Sequence, residues 1–361
     1  MIGRTLGFYF LRRYGAIAAW NFIGIAALVF IVTFTEVSGR AGGLENYTVT
    51  WALAVALLQL PILMQQAVPF IGLIAAMATL ISLNRKYELV IARAAGISAW
   101  QFLTPIAFGA FLFGLLSLLV LNPIAAAGFA KSEALQADVR GASTLANSET
   151  TRWLKQRTEN GEAFIGADAT TNFGSTLVRP VFLLVGSDGR IIERLDAQSA
   201  TLRDGYWELT GAIRHRDGVP SERMASMQLP TNLRPEYVSQ ELLDPQALSI
   251  FELPFKIREA DSLGLRASNF ATQFHSMVAL PALLIAMTLI AATVSMRFTR
   301  LGQSGTMILG GILAGFLLYV VSVLMKAFGG SGAVPPLVAA WTPVIIATFF
   351  GITFLLFKED G

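Results

Sequence analysis

SMVALPALLIAMTLIAATVSM, residues 276–296, is the stretch that decides the fold of this chain. It carries no charged side chain and has about the 20 residues that a helix needs to cross the hydrocarbon core of a bilayer. Five further uncharged stretches have a similar length, namely Ala16–Thr35, Ile62–Leu83, Trp100–Leu121, Gly305–Met325 and Leu337–Phe357. Because lipid cannot satisfy free backbone polar groups, each stretch is predicted to be a membrane-spanning helix.

Composition points the same way. Hydrophobic residues make up 54% of the chain and charged residues only 14%, whereas soluble domains carry about a quarter charged residues. The chain has no cysteine, which excludes disulfides, thiolate metal sites and cysteine nucleophiles.

The cations are distributed unevenly between the two sides that six alternating spans would define. One side holds Arg4, Arg12, Arg13, Arg85, Lys86, Arg93, Arg297, Arg300 and Lys358. The short loops of the other side hold only Arg40 and Lys326. The positive-inside rule therefore predicts a multi-pass membrane protein with both termini in the cytoplasm. The first span follows Arg12 and Arg13 without a cleavage-like site, so we expect it to be retained.

The second apolar region is longer than one span and contains two prolines. We interpret Thr50–Leu60 as an interfacial helix, with Trp51 at the headgroups, that bends near Pro61 into the second span.

A soluble insertion separates the third and fourth spans and would lie outside the cytoplasmic membrane. The domain boundaries are predicted at 1–131, 132–261 and 262–361. Ser132–Arg140 is typical of a helical stalk, and Leu248–Glu259 of a helix near the outer membrane surface. Between them, turn dipeptides separate alternating apolar runs at Asn160-Gly161, Asp188-Gly189, Asp204-Gly205 and Asp217-Gly218. These hairpin signals predict an all-β module over about Thr151–Leu242, either a sandwich or a jelly roll.

The chain shows few signs of chemistry of its own. It lacks the G-x-x-x-x-G-K-[ST] phosphate loop, so ATP hydrolysis is not expected. His215 and His275 are isolated in the sequence; we interpret His215 as a surface residue and His275 as an interfacial one. The spans hold almost no ionisable residues at mid-depth, which argues against an ion-coupled transporter. The chain is therefore predicted not to be an enzyme and to bind no metal or cofactor.

The loop between the second and third spans carries the strongest local signal. Residues 84–98, NRKYELVIARAAGIS, predict a short helix at about 85–97 in which Glu88 is the one acid among several cations. One interpretation is a solvated helix whose first turn is stabilised by Glu88. The other is a coupling helix that docks into a cytoplasmic ATPase.

Residues 88–96, ELVIARAAG, resemble the ELV-x-x-x-A-x-G coupling motif of the lipopolysaccharide-export permeases LptF and LptG. The resemblance extends to the whole layout of three spans, an outer β-jellyroll and three further spans, and to the final loop with Pro335-Pro336. Glu88–Ile91, Phe34–Val37 and Arg40–Gly42 are more similar to LptG than to LptF.

The resemblance implies an α-helical polytopic permease of the inner membrane with an inserted periplasmic jelly roll, paired with an LptF-like subunit. It also implies an LptB-type ATPase dimer that uses ATP and Mg, and transfer of lipopolysaccharide to LptC and LptA. Membrane lipids are expected contacts, and nucleic acid is not. The implied ATPase-coupling residues are Arg85, Tyr87, Glu88, Leu89, Ala92, Arg93 and Gly96. The implied substrate-binding residues are Arg40, Lys326, Phe30, Ile31, Ile312, Phe316 and Tyr319.

The chain departs from the family at the end of the first span. Some LptG proteins have a run of lysines there, whereas this chain has Gly39-Arg40 and the acid Glu36. Arg40 and Lys326 could bind lipid A phosphates or could merely anchor the interface. The alternatives for function are a permease for another lipid or for lipoproteins, a non-transporting membrane scaffold, and a lipid-modifying enzyme.

Overall fold

Nine α-helices are described in the computed structural model of the chain. It describes residues 4–41, 48–140, 152–158, 161–167, 169–171, 176–186, 191–203, 205–216, 219–231, 245–262, 267–295 and 305–359. The helices are α1 (Arg4–Ala41), α2 (Val49–Arg85), α3 (Glu88–Ala94), α4 (Ala99–Leu116), α5 (Asn122–Arg140), α6 (Leu253–Ser262), α7 (Ser268–Ser295), α8 (Gly305–Ser331) and α9 (Pro336–Glu359). Six helical segments are long and apolar enough to span a membrane: α1, α2, α4 with α5, α7, α8 and α9. The prediction of six spans is therefore confirmed.

The prediction of a separate interfacial helix before the second span is wrong. α2 runs without a break from Val49 to Arg85 and contains both Pro61 and Pro69. Its first turns are held by α5: a Cβ on Gly128 would lie 2.5 Å from the Leu58 carbonyl oxygen. Trp51 donates its indole N–H to the Leu135 carbonyl, at 3.1 Å. This packing holds residues 49–60 and the second span in one continuous helix.

The third span continues directly into the stalk. A π-helical turn, Ser117–Leu121, joins α4 to α5, and α5 carries the helix to Arg140. The predicted helical stalk at 132–140 is thus confirmed as the end of a span rather than a separate element.

The start of α1, the end of α2 and α3 lie together at one end of the bundle, named here the N-terminal face. The opposite end, which leads to the strands, is the β-domain face. α7 lies at the centre and packs against α2, α4, α8 and α9, whereas α1 packs mainly on α2 and α4. The spans in α1 and α8 are the least buried of the six.

Between residues 152 and 231, the described part of the insertion consists of β-strands and their connections, as predicted. Its strands are β1 (Arg152–Thr158), β2 (Gly161–Ala167), β3 (Ala169–Thr171), β4 (Thr176–Val178), β5 (Val181–Gly186), β6 (Ile191–Asp196), β7 (Ser199–Arg203), β8 (Tyr206–Arg216) and β9 (Val219–Pro230). They form one sheet in the order β1-β2-β5-β6-β8-β7-β4-β3, with β9 on the other edge of β8. All described pairings are antiparallel.

The four predicted hairpins are all present. They join β1 to β2, β5 to β6, β7 to β8, and β8 to β9. Gly205 has φ +85, the left-handed conformation that the tight turn after β7 requires. The short strands β3 and β4 were not predicted, and residues 232–242 of the predicted β module lie outside the described residues.

One apolar face of the sheet forms the core of the β-domain. Seven strands, β2 and β4 to β9, contribute to a single cluster centred on Trp207, which is fully buried. Its ring meets Phe182 edge-on, with centroids 5.9 Å apart. The sheet therefore wraps around one interior and fits the predicted jelly-roll-like class.

The chain returns to the membrane through a 3-10 turn at Pro245–Ala247 and then α6. The helix predicted at Leu248–Glu259 begins later, at Leu253. Ser249 and Glu252 explain the difference, because the Glu252 carboxylate accepts a hydrogen bond from the Ser249 N–H at 2.8 Å and closes a turn before the helix.

Candidate coupling and substrate sites

Helix α3, on the N-terminal face, is bounded by two residues in the left-handed region. Tyr87 precedes it with φ +58 and Gly96 follows it with φ +80. A non-glycine residue with this backbone conformation is uncommon and indicates a tightly constrained connection. Ser98 and Gln101 then form a capping box that starts α4. The short helix is thus held between two sharp turns.

The two faces of α3 differ. Leu89 and Ala92 are buried against the bundle, so they anchor the helix. Arg85, Tyr87, Ile91, Arg93 and Gly96 are exposed. Of the predicted coupling residues, the structure therefore places four on the open surface and two beneath it, with Glu88 between them.

Glu88 is bound by its own chain. Its Oε1 accepts a hydrogen bond from the Tyr9 hydroxyl at 3.2 Å and lies 3.4 Å from Nη1 of Arg13. Arg13 also donates to the Tyr9 oxygen at 2.6 Å and, through Nη2, to Ser82 Oγ at 2.6 Å. Tyr9, Arg13, Ser82 and Glu88, the Arg13 cluster below, join α1, α2 and α3.

The predicted substrate-binding residues of the spans lie on the two least buried helices. In α1, Phe30 is half-buried and stacks on Phe34, whereas Ile31 is exposed. In α8, Ile312 and Phe316 are exposed and Tyr319 is half-buried. Sequence analysis missed Phe70 of α2, whose ring lies 6.2 Å from Phe316 and 4.7 Å from Tyr319.

The two predicted phosphate-binding cations lie at the β-domain face. Arg40, near the end of α1, donates to Glu36 at 2.6 Å, and both side chains are mostly exposed. An exposed pair at i,i+4 contributes only about 0.3–0.5 kcal/mol, so Glu36 holds Arg40 weakly. Lys326, near the end of α8, is half-buried and has an interaction within the chain.

His215 is exposed as predicted, but it is not isolated. Its Nδ1 lies 2.9 Å from Ser221 Oγ and its Nε2 lies 3.2 Å from Asp196. A hydrolase uses the two ring nitrogens the other way round, and Arg194 also binds Asp196 through two N–H groups. We interpret this group as a surface network. Among the described residues there is no cluster of side chains that could hold a metal ion.

A second ionic group occupies the interior face of the sheet. Glu193, nearly buried, is bound by Arg214 and by Arg216, the latter at 3.3 Å. The hydrogen bond to Glu193 raises the pKa of Arg214. The apolar interior thus gives way to an ionic cluster next to the β5–β6 and β8–β9 hairpins.

Comparison with known proteins assigns the chain to a family. The model of the family described as lipopolysaccharide export system permease LptF/LptG matches residues 2–357. The chain belongs to the LptF/LptG family. Two similar relatives are the LptG proteins of Escherichia coli strains K12 and O6:H1, each 22% identical over 344 residues that cover 93% of both chains. The resemblance found in the coupling motif and layout is therefore confirmed, including its LptG-like character.

Sequence analysis missed the Arg13 cluster for a simple reason. Arg13 and Glu88 are 75 positions apart, and no local pattern pairs residues at that distance. Arg13 was counted only as one of the cations of its side. The one available signal was the spacing of Tyr9 and Arg13, which would lie one helical turn apart just before the first predicted span, on the same side as the lone acid Glu88.

Proposed function

We propose that this LptF/LptG-family chain is one permease subunit of an exporter that moves lipopolysaccharide and is driven by a separate ATPase. The N-terminal face then lies in the cytoplasm and the β-domain in the periplasm. The observation that carries the proposal is α3, a helix anchored by Leu89 and Ala92, with Ile91 exposed on it and Tyr87 exposed directly before it. Such a surface, next to the cations of the N-terminal face, suits the groove of an LptB-type ATPase.

The sparsely buried spans support a partner subunit. α1 and α8 expose long apolar side chains, among them Trp20, Leu28, Leu313 and Leu317. An LptF-like subunit would pack beside these helices and close a lipid cavity lined by Ile31, Phe316 and the other residues named above. The transmembrane helix of LptC would lie at one of the two openings.

The β-domain would receive or guide the lipid on the periplasmic side. β9 pairs only with β8 among the described strands, so its outer edge can add a strand from a neighbouring jelly roll of the LptC type. Edge-to-edge pairing of this kind would extend the apolar interior towards LptA.

Reconstitution tests the proposal directly. The chain and an LptF-like subunit in proteoliposomes with lipopolysaccharide should release lipid to LptC and LptA only when LptB, ATP and Mg are present. ATP-dependent movement of another lipid or of a lipoprotein would favour the first alternative. Stable complexes that move nothing would favour the scaffold.

Two variants test whether the ATPase binds at α3. Ile91→Asp adds a charge to the exposed face and should reduce ATPase association about tenfold or more, because a buried unpaired charge is costly. Ile191→Asp, at an isoleucine of β6 that is also exposed, serves as the control. Glu88→Ala should leave the subunit inserted but weaken or uncouple the ATPase. Wild-type association in both α3 variants would contradict the proposed docking site.

A further inference from the structure

The Arg13 cluster is the only described side-chain group that joins α1, α2 and α3 through hydrogen bonds. We propose that Arg13 ties the coupling helix to the first span, so that a displacement of α3 is transmitted to α1. Arg13 acts through Glu88 and is a positioning residue. The part of this inference that concerns transport rests on the proposed function; the mechanical link does not.

The bonding pattern lets Glu88 bind a cation of a partner protein while it stays bonded to Arg13. Both described bonds, from Tyr9 and from Arg13, end on Oε1, and no described residue binds Oε2. A cation of a docked ATPase can therefore bind Oε2 while Arg13 keeps Oε1. A displacement of Glu88 is then transmitted to α1 through the guanidinium of Arg13.

The guanidinium is well held in this position. Its Nη2 bonds Ser82 at the end of α2, and its Nη1 bonds Tyr9, which lies one turn earlier on α1. The Arg13 side chain is 18% exposed and that of Glu88 28% exposed, so solvent screens the pair less than an open surface pair. Lysine has no planar fork and cannot make these bonds together.

α1 has the construction of a lever. Its first half is fixed by Phe10, Tyr14 and Ala18, which are buried, and a Cβ on Gly109 of α4 would lie 2.8 Å from the Tyr14 ring. Beyond Ala18, Thr33 is the only described residue of α1 that is buried. Tyr14 to Arg40 spans about 39 Å at 1.5 Å per residue. A tilt of about 5° at the Arg13 cluster would thus move the far end by about 3 Å.

The first measurement is the amount of lipopolysaccharide released per ATP hydrolysed by the full complex. Arg13→Gln should lower this ratio about tenfold, within the usual range of coupling between sites, while the yield of assembled complex stays the same. Arg12→Gln makes the same charge change at an adjacent, exposed arginine and should match wild type. Arg13→Lys should fall between the two. Equal ratios for Arg13→Gln and Arg12→Gln would overturn the proposal.

The second measurement does not depend on transport. The chain has no cysteine, so spin labels at Ala94→Cys on α3 and Gly39→Cys on α1 report one distance. The distribution of this distance should broaden in Arg13→Gln and stay unchanged in Arg12→Gln. If the wild-type complex releases no lipid, the proposed function fails, and the spin-label distance alone tests the link between α3 and α1. A distance distribution in Arg13→Gln that equals that of wild type overturns the link. If the Arg13→Gln protein does not accumulate, Arg13→Lys and Tyr9→Phe replace it in both the transport measurement and the spin-label measurement.

Discussion

Asn122 is the residue at which the spans meet the chain returning from the β-domain. It is fully buried at the start of α5, directly after the π-helical turn. Its Oδ1 accepts a hydrogen bond from the Ile250 backbone N–H at 2.7 Å, and its Nδ2 donates to Gln65 of α2 at 3.4 Å. One side chain therefore joins the second span, the third span and the segment before α6.

Asn122→Leu should destabilise the protein by about 1–3 kcal/mol, because the Ile250 N–H would be left buried without an acceptor. Thermal unfolding in detergent measures this loss. Asn21→Leu is the matched control, since the Asn21 Nδ2 is buried without a hydrogen-bond partner among the described residues. That change should be neutral or stabilising. An equal effect of the two variants would show that Asn122 does not act through its hydrogen bonds.

At the scale of the elements, glycines set how closely the spans approach. A Cβ on Gly114 of α4 would lie 2.6 Å from the Pro281 Cα of α7. Backbone cannot move aside as a flexible side-chain end can. Close helix approach of this kind is a common basis of packing in membranes, where apolar surface alone supplies little driving force between helices.

Gly114→Ala should therefore push α4 away from α7 and cost about 1–3 kcal/mol, the usual range for overpacking. Gly24→Ala in α1 is the control, because nothing lies within 4 Å of its added Cβ. The melting temperature of the two variants in detergent makes the comparison. A wild-type melting temperature for Gly114→Ala would mean that the α4–α7 contact is looser than the structure indicates.

At the scale of the whole molecule, the bundle and the β-domain have separate cores. The cluster around Trp207 contains only residues of the sheet and its loops, and the large cluster of the bundle contains only residues of the helices and their loops. The two parts should therefore lose their structure independently.

Trp207→Ala should cost the β-domain about 3–5 kcal/mol through the cavity it leaves. Limited proteolysis should then cut within the strands while the membrane helices stay intact. Ile192→Ala, at a residue that is 56% exposed, should behave as wild type. Simultaneous loss of the helical bundle in Trp207→Ala would contradict independent cores.

Arg40 and Lys326 share the β-domain face, and both are expected to contact lipid A phosphates. Charge-assisted bonds of about 1.5–3 kcal/mol imply that Arg40→Glu with Lys326→Glu lowers bound lipopolysaccharide at least tenfold. Glu36→Gln should raise it, since Arg40 loses its competitor. Mass spectrometry of co-purified lipid measures occupancy, and Arg4→Glu on the opposite face is the control. Unchanged occupancy in the double variant would leave both cations as interface anchors.

Patterns within one element were readable from the sequence. Six uncharged stretches determined the spans, because the bilayer allows no other backbone structure there. Four turn dipeptides determined four hairpins, because tight turns need residues that tolerate a positive φ. The motif at 88–96 determined the family. The predicted break before the second span is absent because α2 packs on α5, which lies far away in the chain. The late start of α6 depends instead on a local hydrogen bond between Ser249 and Glu252.

Only the tertiary structure decided which residues work together. Leu89 and Ala92, two of the predicted coupling residues, are buried against the bundle and anchor α3, because a short helix must bury one side. Glu88 meets Arg13 and Tyr9 across the bundle, Phe70 meets Tyr319, and Asn122 meets Ile250. Such contacts depend on the angles and positions at which the helices pack against one another. This packing geometry is set by the combined shape of many side chains. The positions of the spans and turns are set instead by the lipid bilayer and by local backbone sterics.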